Sequence, residues 1–405
     1  MRILWICQLF PPVIATRSFA AGKLVLALQE RGTESSVVSD EPNGAADSSP
    51  LWNSIAADVR RIAPRRVSAW GRLRRACAFK FPRKAAWIAD AYQAALDLCA
   101  TARPDAIVSQ YAPFEGHVVG YAAARKTRLP WIAFFSDPWP GHVQPRPYYR
   151  DPGVAGRILY SFWARAIWRQ ADAVLFPSVR LRDHMLAHHG PPRKRRCEIL
   201  RHVAGTEPAP LALPDRFVVL HSGQAGGQSR PVTPFLRGLE MFIERNPSAR
   251  SRSRVIFSGS LDATEADREI VGRLGDVVEI RGNRPYSESC REMASAAALL
   301  LIEAPMAAGV YLPSKFADYV GTTLPVLCLS PAGGEVADLL REIGQMPVSQ
   351  TDPQAIAGDL EARYAAWANG TLRERFSTAA LREKFLPGKV AGDFETFCRR
   401  AGGLP

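Results

Sequence analysis

Short runs of Ile, Val and Leu alternate with longer stretches in which apolar residues recur at helical spacing, and this alternation holds from residue 2 to about residue 350. In the first half it predicts strands at Arg2–Cys7, Ser35–Ser39, Asp105–Ser109, Trp131–Phe135 and Asp172–Phe176. The helices predicted between them are Phe19–Arg31, Trp87–Ala100, Gly116–Lys126 and Gly156–Arg169. Strands separated by helices of about ten residues or more make βαβ units, and hence a parallel sheet.

The stretch Ala204–Asp215 carries three prolines and no periodicity, so it reads as a linker. The alternation then restarts, with strands at Arg216–Ser222, Arg254–Gly259, Val277–Arg281, Ala298–Glu303 and Pro325–Leu329. Beyond residue 350 the pattern is helical only and closes with Val390–Arg400. The expectation is an α/β protein of two doubly wound parallel-sheet (Rossmann-like) domains, residues 1–203 and 216–385, joined by 204–215 and followed by a closing helix, 386–405. Consecutive domains of this kind place ligands at the carboxyl ends of their strands, in a cleft between them.

Composition narrows the class. The chain has 405 residues, 47% hydrophobic and 22% charged, which suits a soluble protein with a sizeable core and excludes collagen-like, coiled-coil and wholly disordered readings. The longest weakly polar stretch, Ala294–Leu312, is broken by Glu303 and Pro305 and makes a poor membrane span. The N-terminal apolar run ends at Pro11-Pro12 with no small-residue cleavage site, so it reads as a core strand rather than an export signal. Seven scattered cysteines without a CxxC pair indicate neither a disulfide framework nor a thiolate zinc site, and point to the reducing cytosol.

Charge is unevenly placed. Net charge is +13, and residues 1–200 hold 29 basic and 15 acidic side chains, so all the excess lies in the first half. It is densest in Asp58–Trp87, where Val67, Trp70, Leu73 and Cys77 fall at helical spacing among Arg65, Arg66, Arg72, Arg74, Arg75 and Lys80. Basic residues interleaved with aromatics suit an anionic membrane surface, and a solvated surface helix would read the same way. Nucleic acid is not an expected partner.

Several segments carry candidate chemistry. VVLHSGQAGGQSRP (Val218–Pro231) is a strand opening into a Gly-rich loop, with Arg230 just before a helix; glycines admit an anion close to the backbone and arginine offers it charge. A tight turn with a surface arginine fits the same residues. In GVYLPSKFADY (Gly309–Tyr319), Pro313, Ser314 and Lys315 begin a helix whose first amides are open to an anion. Lys315 is one of eight lysines beside 44 arginines. Asp318, one turn on, suits a ribose hydroxyl or the helix dipole.

In the first half, FFSDPWPGH places Ser136 and Asp137 directly after a strand, and His117 follows another near a helix start, as a substrate group or a structural one. His184 and His188 have i,i+4 spacing but no HExxH glutamate, so they read as surface helix. No DxD motif occurs, and no metal site is expected.

At these residues the chain resembles retaining GT-B glycosyltransferases of the large nucleotide-sugar-dependent family 4, and most of all the branch acting in bacterial surface-polysaccharide and lipid-linked glycan synthesis. The resemblance rests on Phe10–Val38, RPDAIVSQYAPFEGH, LPWIAFFSDPW, QADAVLFPSVRLRDHM, HSGQAGGQSRP, VYLPSKFADYVGTTLPVLCLSPAGGEVADLL and the closing helix, in that order. It implies the GT-B fold, with the final helix crossing back to an acceptor-binding first domain. It also implies transfer of a sugar from a nucleoside diphosphate with retention, no metal, and no cofactor beyond the nucleotide-sugar substrate. By the same resemblance Arg230 and Lys315 meet the diphosphate, with Gly223, Gln224, Ser229 and Ser314 around the donor and Asp318 on the ribose. Asp137, Ser136, His117 and Arg17 would face the sugar and a lipid-linked or polysaccharide acceptor. The expected place is the cytoplasm, peripheral on the inner face of the plasma membrane.

Two departures from the family pattern motivate a rival reading, a degenerate non-catalytic GT-B subunit acting as a binding or scaffold partner. Val310 stands where the family often has an acidic residue, and Gln224 where it often has arginine. A sugar-nucleotide epimerase of related architecture is a third reading.

Overall fold

The computed structural model describes residues 1–63, 68–81, 84–194, 196–210 and 212–403, and the chain separates into two compact units. The first comprises Met1–Gln144, Tyr149–Val203 and Pro387–Pro405; the second comprises Pro145–Tyr148 and Ala204–Leu386.

In the first unit the chain runs β1 (Arg2–Ile6), α1 (Thr16–Gln29), β2 (Glu34–Asp40), β3 (Ala57–Ile62), α2 (Ala69–Phe79), α3 (Ala85–Thr101), β4 (Ala106–Tyr111) and α4 (Glu115–Thr127). It continues through β5 (Trp131–Phe135), α5 (Gly153–Gln170), β6 (Ala173–Phe176), α6 (Val179–His189) and β7 (Cys197–Ile199). Among the described residues its sheet has seven parallel strands in the order β3-β2-β1-β4-β5-β6-β7. Strand alternation divides its core in two: Leu4 and Ile6 of β1 enter one apolar cluster, Ile3 and Trp5 the other.

The second unit runs β8 (Phe217–Ser222), β9 (Ala225–Gly226), α7 (Thr233–Arg245), β10 (Ser253–Ser258), β11 (Leu261–Asp262), α8 (Glu265–Leu274), β12 (Val278–Ile280) and α9 (Tyr286–Ala294). It continues through β13 (Ala298–Ile302), α10 (Ser314–Gly321), β14 (Val326–Leu329), α11 (Glu335–Glu342), α12 (Pro353–Ala368) and α13 (Leu372–Phe376). The main sheet is parallel in the order β12-β10-β8-β13-β14, and β9 pairs with β11 apart from it. Segment 204–210 packs onto this unit: Ala204 and Ala209 are buried, and their amides donate to Phe385 and Thr322 carbonyls.

The last helix, α14 (Pro387–Gly402), belongs to the first unit. Phe394 is fully buried and stacks on Trp5 at 5.1 Å between ring centroids. Glu395 accepts from Arg31 Nη2 at 3.0 Å and from Thr33 Oγ1 at 2.7 Å.

In each unit the strand order turns around at one place, between β1 and β4 in the first and between β8 and β13 in the second. There consecutive loops leave the sheet in opposite directions and open a crevice beyond the strand ends. The five predicted strands of each half are all present, within about two residues at their ends.

Segment 58–87 is not one element, and the helical spacing of Trp70, Leu73 and Cys77 is that of a helix. Its first residues form the edge strand β3, where Val59 and Arg61 alternate with Asp58 and Arg60 and the period is two, not helical. The helix begins only at Ala69; Arg65, Arg66 and Val67 lie outside the described residues.

Phe394→Ala removes the ring that α14 lays on Trp5, and large-to-small changes at such sites cost about 3–5 kcal/mol. The urea midpoint of the first unit, followed by tryptophan fluorescence, should fall accordingly. An unchanged midpoint would show that α14 adds nothing to that core.

Candidate anion site at the carboxyl ends of the strands

In the second unit the loops after β8 and β13 converge. Pro313 holds extended backbone (φ −60°, ψ 129°) ahead of Ser314, so the Ser314 and Lys315 amides precede the helix ladder, while the Phe316 amide already donates to the Pro313 carbonyl at 2.9 Å. Lys315, the second helical residue, sends Nζ to the end of β8, where it donates to the Ser222 carbonyl at 2.6 Å and meets His221 Nε2 at 3.2 Å. His221 Nδ1 lies 2.9 Å from the Leu300 carbonyl, to which it donates when Nε2 accepts from the Lys315 ammonium, and Nε2 also stands 3.3 Å from the Gln224 carbonyl. Burial, followed by the Lys315 charge, drives the His221 pKa down to about 3, so this imidazole is neutral. Desolvation, then the charge of Arg230, brings Lys315 down to about 7. Lys315 as a whole residue remains partly exposed.

The loop after β8 fits this lysine closely. Gly223 has φ +86°, and a Cβ there would stand 3.3 Å from Lys315 Nζ. A bridge between Gly226 and Arg230 folds the loop back on itself and returns Arg230 to the strand ends. Arg230 is partly buried and its Nε donates to the Tyr148 hydroxyl at 3.1 Å. Ser229 and Ser314 are partly exposed beside these cations in sequence, and Gln224 is exposed. Tyr319 ties α10 to the same place, its hydroxyl accepting from the Ser222 amide at 2.9 Å and donating to Leu300 O at 3.2 Å.

Asp318 is buried, and its Oδ1 accepts from the Gly205 amide at 2.7 Å and the Tyr286 hydroxyl at 2.9 Å. Those bonds fasten segment 204–210 to α10 through one oxygen of the carboxylate.

Sequence reasoning passed over three groups here: His221, Tyr319 and Glu303. Glu303 follows β13, is buried, and its carboxylate accepts from Ser330 Oγ. Desolvation raises its pKa to about 7 against the lowering effects of Ser330 and Arg230. Its signal was legible: it is the single charged residue of Ala294–Leu312.

In the first unit three of the four candidates meet. Arg17, in the first turn of α1, donates from Nε to Asp137 Oδ2 at 3.1 Å, and a second guanidinium nitrogen meets the same oxygen. Ser136 Oγ donates to the Tyr111 carbonyl at 2.7 Å. This group lies beyond the ends of β4 and β5 and is partly exposed. His117 does not join it. Its ring is fully buried, 4.5 Å from Phe135, with Nδ1 at 2.7 Å from Ser109 Oγ, which also accepts from Trp131 Nε1 at 2.8 Å. The ring lies within the aromatic core because α4 turns it toward β4; burial holds it neutral with a pKa of about 3. The sugar-facing role expected of His117 is corrected to a core one.

Among the described residues no three His, Cys, Asp or Glu side chains converge as metal ligands would, and no helix is long and apolar enough to cross a membrane. His184 Nε2 donates to the Val143 carbonyl at 2.7 Å.

Residues 19–199 match the family model of the glycosyl transferase 4-like domain. With the GT-B fold, that match supports a glycosyltransferase. No curated protein matches the chain in sequence. Among solved structures, sucrose-phosphate synthase from Thermosynechococcus elongatus is similar with a TM-score of 0.63 and 15% identity, over 100% of both chains. AviGT4, a glycosyltransferase involved in avilamycin A biosynthesis, gives 0.56 and 13%, over 100% of this chain and 98% of its own. The UDP-GlcNAc 2-epimerase of Neisseria meningitidis, solved with UDP-GlcNAc, gives 0.55 and 11%, over 98% and 99%. At these identities the likeness is one of fold.

Glu303 supplies a pH prediction. Its pKa is raised from 4.5 in the unfolded chain to about 7, so the native state holds a proton that the unfolded state releases between those values. Its stabilisation is present below the lower value and is lost as pH rises through the upper one, by about 3 kcal/mol. Glu303→Gln should therefore gain about 3 kcal/mol relative to the parent as the pH of urea unfolding is raised across that window. A difference independent of pH would show that the carboxyl is not held protonated.

Proposed function

We propose that the chain moves a sugar from a nucleoside-diphosphate sugar to a hydroxyl of a lipid-linked or polysaccharide acceptor, with retention at the anomeric carbon and without a metal. The observation that carries this reading is the pair Lys315 and Arg230 at the switch point of the second unit, on a chain whose first half matches the glycosyl transferase 4-like domain.

The bond that breaks joins the anomeric carbon to an oxygen of the diphosphate, which leaves with the electron pair. The bond that forms joins that carbon to the acceptor oxygen, whose proton passes to the departing diphosphate. Negative charge therefore grows on the diphosphate, and cations fixed in advance near it lower the barrier because they need no reorganisation. Lys315 and Arg230 fill that role, with Ser314, Ser229 and the first amides of α10 as further donors; Gly223 and Gln224 line the approach. A bound anion also relieves the poor solvation that lowers the Lys315 pKa. In the first unit Arg17 fixes the Asp137 carboxylate, and with Ser136 these groups are assigned to the acceptor.

The protein acts in the cytoplasm, at the inner face of the plasma membrane, and the exposed basic helix α2 supports that placement. The non-catalytic reading keeps its motive in Gln224 and in Val310, which is buried.

Nucleotide binding tests the assignment. A nucleotide sugar at about 100 times its Kd should raise native stability by about 2.7 kcal/mol, and Lys315→Met and Arg230→Ala should abolish the shift. No response to any nucleotide, or a response equal in both variants, would contradict it. Among binders, diphosphate release that depends on added acceptor identifies transfer; consumption of the sugar nucleotide without acceptor identifies an epimerase; and binding without turnover identifies the non-catalytic subunit.

A further inference from the structure

The first unit leaves large apolar side chains in water on two of its helices. Helix α2 has no buried residue, and Trp70 and Leu73, at i and i+3, are 75% and 54% exposed. Helix α5 buries one face through Trp163, Ala164, Ile167 and Trp168, yet its other face carries Val154, Ile158 and Phe162 at strict i, i+4, i+8 spacing. Val154 is 77% exposed and Ile158 is 68% exposed. A helix apolar on both faces is half unpartnered, since one stripe suffices to hold it to its core.

The C-terminal end of α2 reaches α5. The carbonyl of Lys80, the residue that caps α2, accepts from Trp163 Nε1 at 3.0 Å, and the Lys80 ammonium lies 5.6 Å from the Phe162 ring centroid. Neither helix contains an acidic residue, while Arg72 and Arg74 of α2 and Arg157, Arg165 and Arg169 of α5 are all exposed. Asp151, just before α5, is paired with Arg157 at 3.2 Å.

From this juxtaposition we infer that the outer faces of α2 and α5 form a single membrane-insertion surface for anionic lipid. Trp70, Leu73, Val154, Ile158 and Phe162 enter the boundary between headgroups and acyl chains, and the arginines around them hold headgroup phosphates. Charge complementarity selects this occupant. A second copy of the same face would bring the arginines against one another, whereas an anionic bilayer supplies both the apolar layer and the counter-charge. The chain lies on such a membrane rather than spanning it, in keeping with its helix lengths and hydropathy. This rests on the reading that the basic segment meets lipid and adds to it α5, which lies outside that segment.

The test is co-sedimentation of the full chain with vesicles of phosphatidylcholine alone and of phosphatidylcholine mixed with phosphatidylglycerol. Binding is expected only with phosphatidylglycerol present. Val154→Ser with Ile158→Ser, which leaves charge unchanged, should weaken it about tenfold or more. Arg72→Gln with Arg74→Gln should weaken it about thirtyfold. Both altered pairs are exposed, and unchanged thermal unfolding would verify the fold. If the serine pair binds like the parent, the part assigned to α5 is overturned while the α2 reading stands. If the parent ignores phosphatidylglycerol, both fall. If the parent is a dimer that the serine pair makes monomeric, the patch belongs to a second copy and the inference is overturned.

Discussion

A lysine ammonium drawn out of water, with one carbonyl and one neutral imidazole as its hydrogen-bonding partners, is the constraint around which the second unit is arranged. Lys315 pays for that position in pKa, and a second cation, Arg230, presses the same way. Removing the charge from either side chain would relieve the repulsion between them. An anion accomplishes the same without loss of either, which is why the pair reads as a site and not as packing. The surrounding chemistry is consistent with this: His221 is held neutral by burial and directs its lone pair at the ammonium.

The fold brings these groups together for topological reasons. Lys315 and Arg230 come from loops on opposite sides of the place where the sheet order reverses, so that they meet only beyond the strand ends. Close backbone contact then fixes the loop that separates them. A Cβ on Gly259, at φ +147°, would collide with the Gly223 carbonyl oxygen, which leaves no room for any residue but glycine there. Tyr319 fastens the helix carrying Lys315 to both β8 and β13.

Much of this was legible in sequence because burial on both faces of a parallel sheet writes continuous apolar runs, and helices between them write a different period. Lys315, Arg230, Arg17, Ser136 and Asp137 were also legible, since they sit where strands end. Direction was not legible. Position alone does not say which way a side chain turns: His117 turns into an aromatic core, and one oxygen of Asp318 is taken up by the Gly205 amide and Tyr286. In segment 58–87 the helical spacing of Trp70, Leu73 and Cys77 was legible, whereas the alternation of two over Asp58–Arg61 was hidden by its basic character. Glu303 and His221 were visible as polar residues closing apolar strands, and their depth in the fold gives them their shifted protonation.

Proton uptake on binding is the most direct measure of whether Lys315 awaits an anion. The diester phosphates of a nucleotide sugar carry no proton near neutrality, so calorimetric titrations in buffers of different ionisation enthalpy report the protein's own protonation. With a free-state pKa of about 7 that the bound diphosphate raises, binding at about pH 8 should take up nearly one proton, and affinity should fall as pH rises above 7. Lys315→Met should take up none attributable to this site. Binding heats independent of buffer in the parent, or the same uptake in Lys315→Met, would contradict an anion site built on this lysine.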